Sequence, residues 1–445
     1  MSDSKRLSRR ELLRSAAVAG VGGLVLGGLL ARQASRMVAT PAQQANLAGA
    51  QMKTKVDKIR IGASLPLTGW GAGDGTEMQR GLQMAIDEVN AQGGVGGIPV
   101  ELVVLDVEEM PAEKMLSNFQ RLIEVEKVHA IIVGYHVSSG PEFDLVAQAK
   151  IPYMHVNTTE ASAKPVRENR DKYWMIFQGD PTEVWYGIGF AAYMDQLIES
   201  GQWKPYNKKL TLITSDNPYS ISIADTFKAE AEKRGWTVNI YERVVVPVAD
   251  WGPTLAKIRK DPPGLIFITD YAPSDLALFT KEFVKDPTPS LLYQQYGPSI
   301  PEYLEMAGDA ANGVIWSTVI GILPDSYAEP WKQRYRQKFG AEPGGANAGS
   351  LYDMTNVYLR AVAMAGDPTD TRKVCSIMEN IIHRGVCGTM AFDKSDLSGR
   401  PYPEYTKDPS LGMPHLTYQI QNKKHVLVSP EPYTTGQFKL PPWLA

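Results

Sequence analysis

From about Lys58 onward, short apolar runs alternate with stretches whose apolar residues recur at helical spacing. Ile59–Leu65 reads as a first strand, and Met78, Leu82, Ala85, Ile86 and Val89 then mark one face of a helix that Gly93-Gly94 stops. Val100–Leu105 predicts the next strand, and Pro111 opens a helix carrying Met115, Phe119, Leu122 and Ile123 on one side. Ala130–Gly134 and Pro152–Val156 read as further strands. The pattern restarts near Trp174, with strands expected at Leu210–Thr214, Val238–Tyr241, Leu265–Thr269, Leu291–Tyr293 and Gly313–Thr318. Helices are expected between them, then over Ala348–Met364 and Thr371–Ile382. The Pro- and Tyr-rich Leu397–Pro414 reads as a long ordered loop before strands at Leu416–Gln421 and His425–Val428. The alternation predicts βαβ units on largely parallel sheets: an α/β chain of two Rossmann-like doubly wound units, the second entered near residue 178.

The first fifty residues do not fit this pattern. Arg9-Arg10 and Arg14 precede an uncharged, Gly- and Ala-rich run from Ser15 to Ala31. A basic stretch, an apolar stretch and small residues beyond it read as an export signal. The adjacent arginines followed by Leu12-Leu13 resemble the twin-arginine type, with Ala48-Gly49-Ala50 as a cleavage site. A retained membrane anchor is the alternative. These residues also mask the charge of the body. They hold seven basic and two acidic residues, so the formal charge of −3 becomes −8 over the remainder. No basic stripe is left for nucleic acid. Apolar residues at 43% and charged residues at 21% are ordinary for a globular chain.

Only two cysteines occur, Cys375 and Cys387, and the six histidines are scattered, so no metal site is expected. In an exported protein Cys375–Cys387 is a disulfide candidate. No G-x-S-x-G, Walker A or H-E-x-x-H motif is present. No catalytic residue and no cofactor is therefore expected.

In open parallel sheets, ligands bind beyond the carboxyl ends of the strands. Those ends carry the candidate chemistry. After the first strand comes a Gly-rich run with Trp70 and Asp74; its spacing fails the dinucleotide fingerprint. Its glycines could let backbone approach a ligand, and Trp70 either covers an apolar group or packs under the loop. After the third strand come Tyr135, His136, Ser138 and Ser139, just ahead of a helix that Pro141 opens. The two serines form either an anion site or a plain helix cap. Thr158 and Thr159 follow the fourth strand, as anion partners or as turn residues. In the second unit the strand ends offer Tyr219, then Asp270 and Tyr271, then Gln295 and Tyr296. Polar and aromatic groups of this kind hold a solute without reacting with it.

The run Ile61-Gly62-Ala63-Ser64-Leu65-Pro66-Leu67-Thr68-Gly69, followed by Gly81–Asn90, Gly93-Gly94 and a late Gly388-Thr389-Met390-Ala391-Phe392-Asp393, resembles the leucine/isoleucine/valine-type solute-binding proteins of ABC importers. These are type I periplasmic binding proteins. The resemblance implies two lobes joined by a three-segment hinge, 56–178 plus 315–410 and 179–314 plus 411–445, after an export region at 1–50. It implies a periplasmic monomer that captures a small polar solute (an amino acid, an amide or an organic or aromatic carboxylate) and delivers it to ABC permease and ATPase subunits. By resemblance, Ser138 or Ser139 with Thr158 and Thr159 would hold a carboxylate, and Tyr271 would face the solute. Amino-acid-binding relatives place a Glu against the ligand ammonium where this chain has Gln295. Either Asp74 or Asp270 replaces that charge, or the solute carries no ammonium. A sensor on the same scaffold is an alternative role. An exported enzyme built from Asp74, His136 and Asp270 is a more distant one.

Overall fold

The computed structural model describes residues 46–445 except 138 and 403–407. The arginine pair and apolar run of the expected export signal lie outside the described residues. Among the described residues no helix is long and apolar enough to cross a membrane.

In chain order the elements are β1 (Ile59–Leu65), α1 (Ala72–Ala91), β2 (Val100–Asp106), α2 (Ala112–Glu124), β3 (Ala130–Ile132), α3 (Glu142–Ala149), β4 (Tyr153–His155), α4 (Glu160–Glu168) and β5 (Ile176–Gln178). Then follow α5 (Val184–Glu199), β6 (Lys209–Ser215), α6 (Pro218–Lys233), β7 (Thr237–Val244), α7 (Gly252–Lys260), β8 (Leu265–Ile268), α8 (Pro273–Phe283), β9 (Leu291–Gln294), α9 (Pro301–Ala307) and β10 (Ile315–Thr318). The chain ends with α10 (Ala328–Phe339), α11 (Asn347–Ala365), α12 (Thr371–Asn380), the hairpin β11 (His383–Gly385) and β12 (Gly388–Met390), the short pair β13 (Pro401–Tyr402) and β14 (Met413–Pro414), then β15 (Leu416–Gln421) and β16 (Lys424–Ser429).

The described chain divides into two compact units. The chain up to Thr182 joins Ile320–Met413, and Glu183–Val319 joins Pro414–Ala445. In the first unit five parallel strands lie in the order β2-β1-β3-β4-β5. In the second, seven strands lie in the order β16-β15-β10-β9-β8-β6-β7, and β15 runs antiparallel to both of its neighbours, β10 and β16, while the other pairs are parallel. Strand β10 bonds to β9 and β15, so the chain leaves the second unit after it, not before it as a boundary at 315 implied.

Packing explains why the elements form where they do. In the first unit α1 buries Met78, Leu82, Ala85, Ile86 and Val89, the face its periodicity predicted. It approaches α11 so closely that a Cβ on Gly81 would stand 2.2 Å from the Ala348 carbonyl oxygen. In the second unit an aromatic column runs through Phe190, Tyr293, Phe267 and Phe227, with successive centroids 4.3, 4.3 and 4.0 Å apart.

The glycine-rich run before and within α1 is shaped by the chain's own packing. A Cβ on Gly75 would stand 2.0 Å from the Pro66 carbonyl oxygen, whereas one on Gly73 would meet nothing within 4 Å. Gly75→Ala is therefore expected to destabilise by about 2–3 kcal/mol through backbone displacement. Gly73→Ala should be neutral or stabilise by up to about 1 kcal/mol. Urea unfolding of the two variants checks the pair; equal effects would contradict it.

The disulfide candidate is not formed. Cys375 on α12 and Cys387 in the β11–β12 turn are both free and buried. Cys387 Sγ lies 3.7 Å from Ser350 Oγ. Burial raises the pKa of both thiols, which suppresses the reactive thiolate. A thiol reagent should find no reactive group in the native protein and two after denaturation without reductant. A blocked pair would contradict this packing.

Candidate functional site

In the first unit, strand ends deliver several of the expected residues to one edge of the sheet. Trp70, after β1, is 59% exposed, so it does not pack under its loop. Asp74 lies in the first turn of α1. Its carboxylate accepts from the Tyr135 hydroxyl after β3 at 2.6 Å and from Asn347 Nδ2 at the start of α11 at 2.8 Å. Asp74 and Tyr135 thus meet, and both are held in place.

Ser139 sits differently from a free anion clamp. Its hydroxyl donates to Glu142 Oε1 at 2.6 Å, and Gly140 N donates to Glu142 Oε2 at 2.7 Å. Tyr153 adds a third donor at 3.1 Å. The N-terminus of α3 is therefore occupied by the chain's own carboxylate, fully buried and raised in pKa by that burial. Ser139 Oγ also accepts from Asn157 Nδ2 at 2.8 Å. Its proton is spent, so it positions the loop and has no hydrogen to give a ligand carboxylate. The Ser139-x-x-Glu142 spacing of a capping box is the signal that could have revealed Glu142. Ser138 lies outside the described residues.

After β4, Thr158 has φ +48°, a left-handed conformation that is strained for a β-branched residue. Its hydroxyl donates to Asp180, a partner 22 residues away that no local pattern announces. Thr159 is the N-cap of α4 and accepts from Ala161 N at 3.2 Å, which is turn chemistry. His136 and His155 are buried, which lowers them to about 4 and about 3, so both are neutral at pH 7. His136 Nε2 lies 2.8 Å from the Ser64 carbonyl oxygen, so the ring is engaged with backbone rather than with Asp74.

The second unit presents a different set. Asn217 caps α6 through Ser220 N and fixes the half-buried Tyr219 in its first turn. Gln295 is fully buried, with Oε1 accepting from Tyr293 at 2.5 Å and Nε2 reaching Tyr219 at 3.5 Å. Tyr293 also bonds Ser317 at 2.5 Å. Tyr271 is 39% exposed, and Tyr296 adopts φ +53°.

Asp270 stands apart. It follows β8 and is 0% exposed. Oδ1 accepts from Ala272 N at 3.0 Å and from Ser215 Oγ at 3.4 Å. Oδ2 is buried with no hydrogen-bond partner among the described residues. Burial raises this carboxyl to about 6. A buried carboxylate oxygen without a partner costs about 1–3 kcal/mol or more, so Oδ2 is an open acceptor.

The same architecture recurs in known proteins. The model of the periplasmic binding protein family matches residues 58–400. Leu/Ile/Val-binding protein homolog 2 of Brucella abortus (strain 2308) is 25% identical over 358 residues, covering 78% of this chain and 90% of that protein. A crystal structure assigned to a branched-chain amino acid ABC transporter of Silicibacter pomeroyi is 40% identical with a TM-score of 0.84, covering 87% of this chain and all of that one (100%). A solute-binding protein of an ABC transporter from R. palustris, in complex with benzoate, shares the fold at 16% identity and a TM-score of 0.65, covering 86% of this chain and 99% of that one. These relatives are substrate-binding proteins. Two wound α/β units, polar and aromatic groups at their strand ends and a family model spanning most of the chain lead to one conclusion: the chain belongs to the periplasmic binding protein family.

Proposed function

We propose that this chain is the exported receptor of an ABC importer, acting in the periplasm as a monomer. It captures a small solute that carries both an amine cation and a carboxylate, and hands it to a membrane permease and its ATPase. Family membership and the likeness to the Silicibacter pomeroyi structure support the transport role. The fold alone does not choose the solute, since the R. palustris relative holds benzoate.

The observation that carries the choice is the unpartnered oxygen of Asp270. A neutral Gln295 amide, already bonded to Tyr293 and Tyr219, supplies no charge to an ammonium. Asp270 does. The carboxylate of the solute falls to the Thr159 hydroxyl, with Ser138 as the further candidate from the sequence; Thr158 shapes the turn, its own proton being given to Asp180. Ser139 orders that turn through Asn157, and Asp74 orders Tyr135. Trp70, Tyr271 and Tyr296 supply aromatic faces for the rest of the solute.

Thermal unfolding of the mature protein, from about residue 51, against a solute panel tests this reading. The panel holds branched-chain and other amino acids, short amides, urea, and aliphatic and aromatic carboxylates. A ligand at 100 times its Kd adds about 2.7 kcal/mol. A shift with amino acids and none with ammonium-free carboxylates is the expected outcome. A shift confined to ammonium-free solutes would overturn it.

A further inference from the structure

Behind the β11–β12 hairpin, well inside the first unit, lies a cluster of polar groups that the solute site does not use. It lines a cavity of about 10 Å³ between Asp353, Asn356 and Arg360 of α11 and His383 of β11. His383 is 3% exposed, and neither of its ring nitrogens has a hydrogen-bond partner among the described residues. Its Nε2 lies 3.8 Å from Asp353 Oδ1, too far for a hydrogen bond. Arg360 Nε is buried and likewise without a partner. A neutral imidazole always presents one N–H and one lone pair, so two needs are left open on one ring and a third on the guanidinium.

We propose that this cavity is a binding site for one structural water, bridging His383 to Arg360 and Asp353. The size fits, because about one water-sized sphere occupies 10–15 Å³ by this measure, which leaves no room for an oxyanion. The chemistry fits as well. Water accepts from Arg360 Nε–H and donates to the imidazole lone pair or to Asp353. A halide can only accept, and would face the Asp353 carboxylate, which stays in place through Val386 N and Cys387 N at 2.9 Å each. Charges of both signs are already present: Arg384 pairs with Asp325, and Arg360 and Asp353 line the same cavity. Burial keeps His383 below its ordinary pKa, the neutral form that this bridge uses.

Two measurements on the unmodified mature protein decide it. A crystal structure grown with bromide should show one water peak within about 3 Å of Arg360 Nε and a His383 nitrogen, with no anomalous signal there. In solution, the His383 ring protons should show a cross-peak to a long-lived water, lost in His383→Phe. An anomalous bromide peak would make this an anion site and overturn the proposal. So would an unfilled cavity with His383 turned into direct contact with Asp353, or the absence of the cross-peak in the wild type.

Discussion

Replacing Asp270 by Asn should make the ligand-free protein more stable and leave it nearly blind to its solute. The two effects have one cause. Burial raises the Asp270 carboxyl from 3.8 to about 6, so the folded state holds this proton more tightly than the unfolded state does. The stability contribution is therefore complete below about pH 4 and is lost as pH rises through about 6. At pH 7.5 the ionised group costs about 2–3 kcal/mol, on the order of 1.4 kcal/mol for each tenfold difference in proton affinity between the two states. The Asn variant escapes that cost, and the part of the pH slope between 4 and 6 that belongs to Asp270 disappears. Binding moves the other way. Removing one member of a buried, hydrogen-bonded charge pair costs about 2–5 kcal/mol, or roughly 300-fold in affinity at the middle of that range. In the wild type, affinity should fall about tenfold between pH 7.5 and pH 5, as the carboxylate is protonated. Urea unfolding across pH, with titration of the solute, checks both halves. A variant that loses stability and binding together would mean that Asp270 is a structural residue.

Asp353→Ala should be the most damaging substitution away from the solute site. Asp353 is 1% exposed on α11, and its two oxygens accept from Val386 N and Cys387 N at 2.9 Å each. Those two amides form the turn of the hairpin, where β11 and β12 meet antiparallel. Truncation leaves both N–H groups buried without acceptors, at about 1–3 kcal/mol each. A total loss of about 2–5 kcal/mol is expected in urea unfolding. Asp353→Asn retains one acceptor and should lose about half as much. Gly385 reports the same closeness, since a Cβ there would stand 2.2 Å from the Asp353 carboxyl carbon. An Ala variant within about 0.5 kcal/mol of wild type would show that the amides find other partners.

What can be read from the chain follows physical range. Strands and helices with one wet face announce themselves by period, as β1 and α1 do. Helix α5 does not, because Tyr186, Gly187, Gly189, Phe190, Ala191, Tyr193 and Met194 are all buried, which leaves little amphipathic contrast to detect. The candidate site is legible as a set of strand ends, because topology places them. The partners are not. Asp180 meets Thr158 across 22 residues and Asn347 meets Asp74 across 273, and neither separation leaves a local trace. Glu142 is the exception, three residues after Ser139 in a spacing that signals a cap. Cysteine spacing carries no more than opportunity: Cys375 and Cys387 are buried in different elements as free thiols.

If Asp270 selects a solute bearing an amine cation, the amine itself must carry much of the affinity. The most direct test is calorimetric titration, at pH 7.5, of the best amino acid from the panel and of the same molecule with its amine replaced by hydrogen. Losing the amine is expected to weaken binding by about 300-fold, the share of affinity assigned to the buried charge pair. Equal affinity, or tighter binding of the deaminated solute, would contradict this selection and leave the unpartnered oxygen of Asp270 without a role in it.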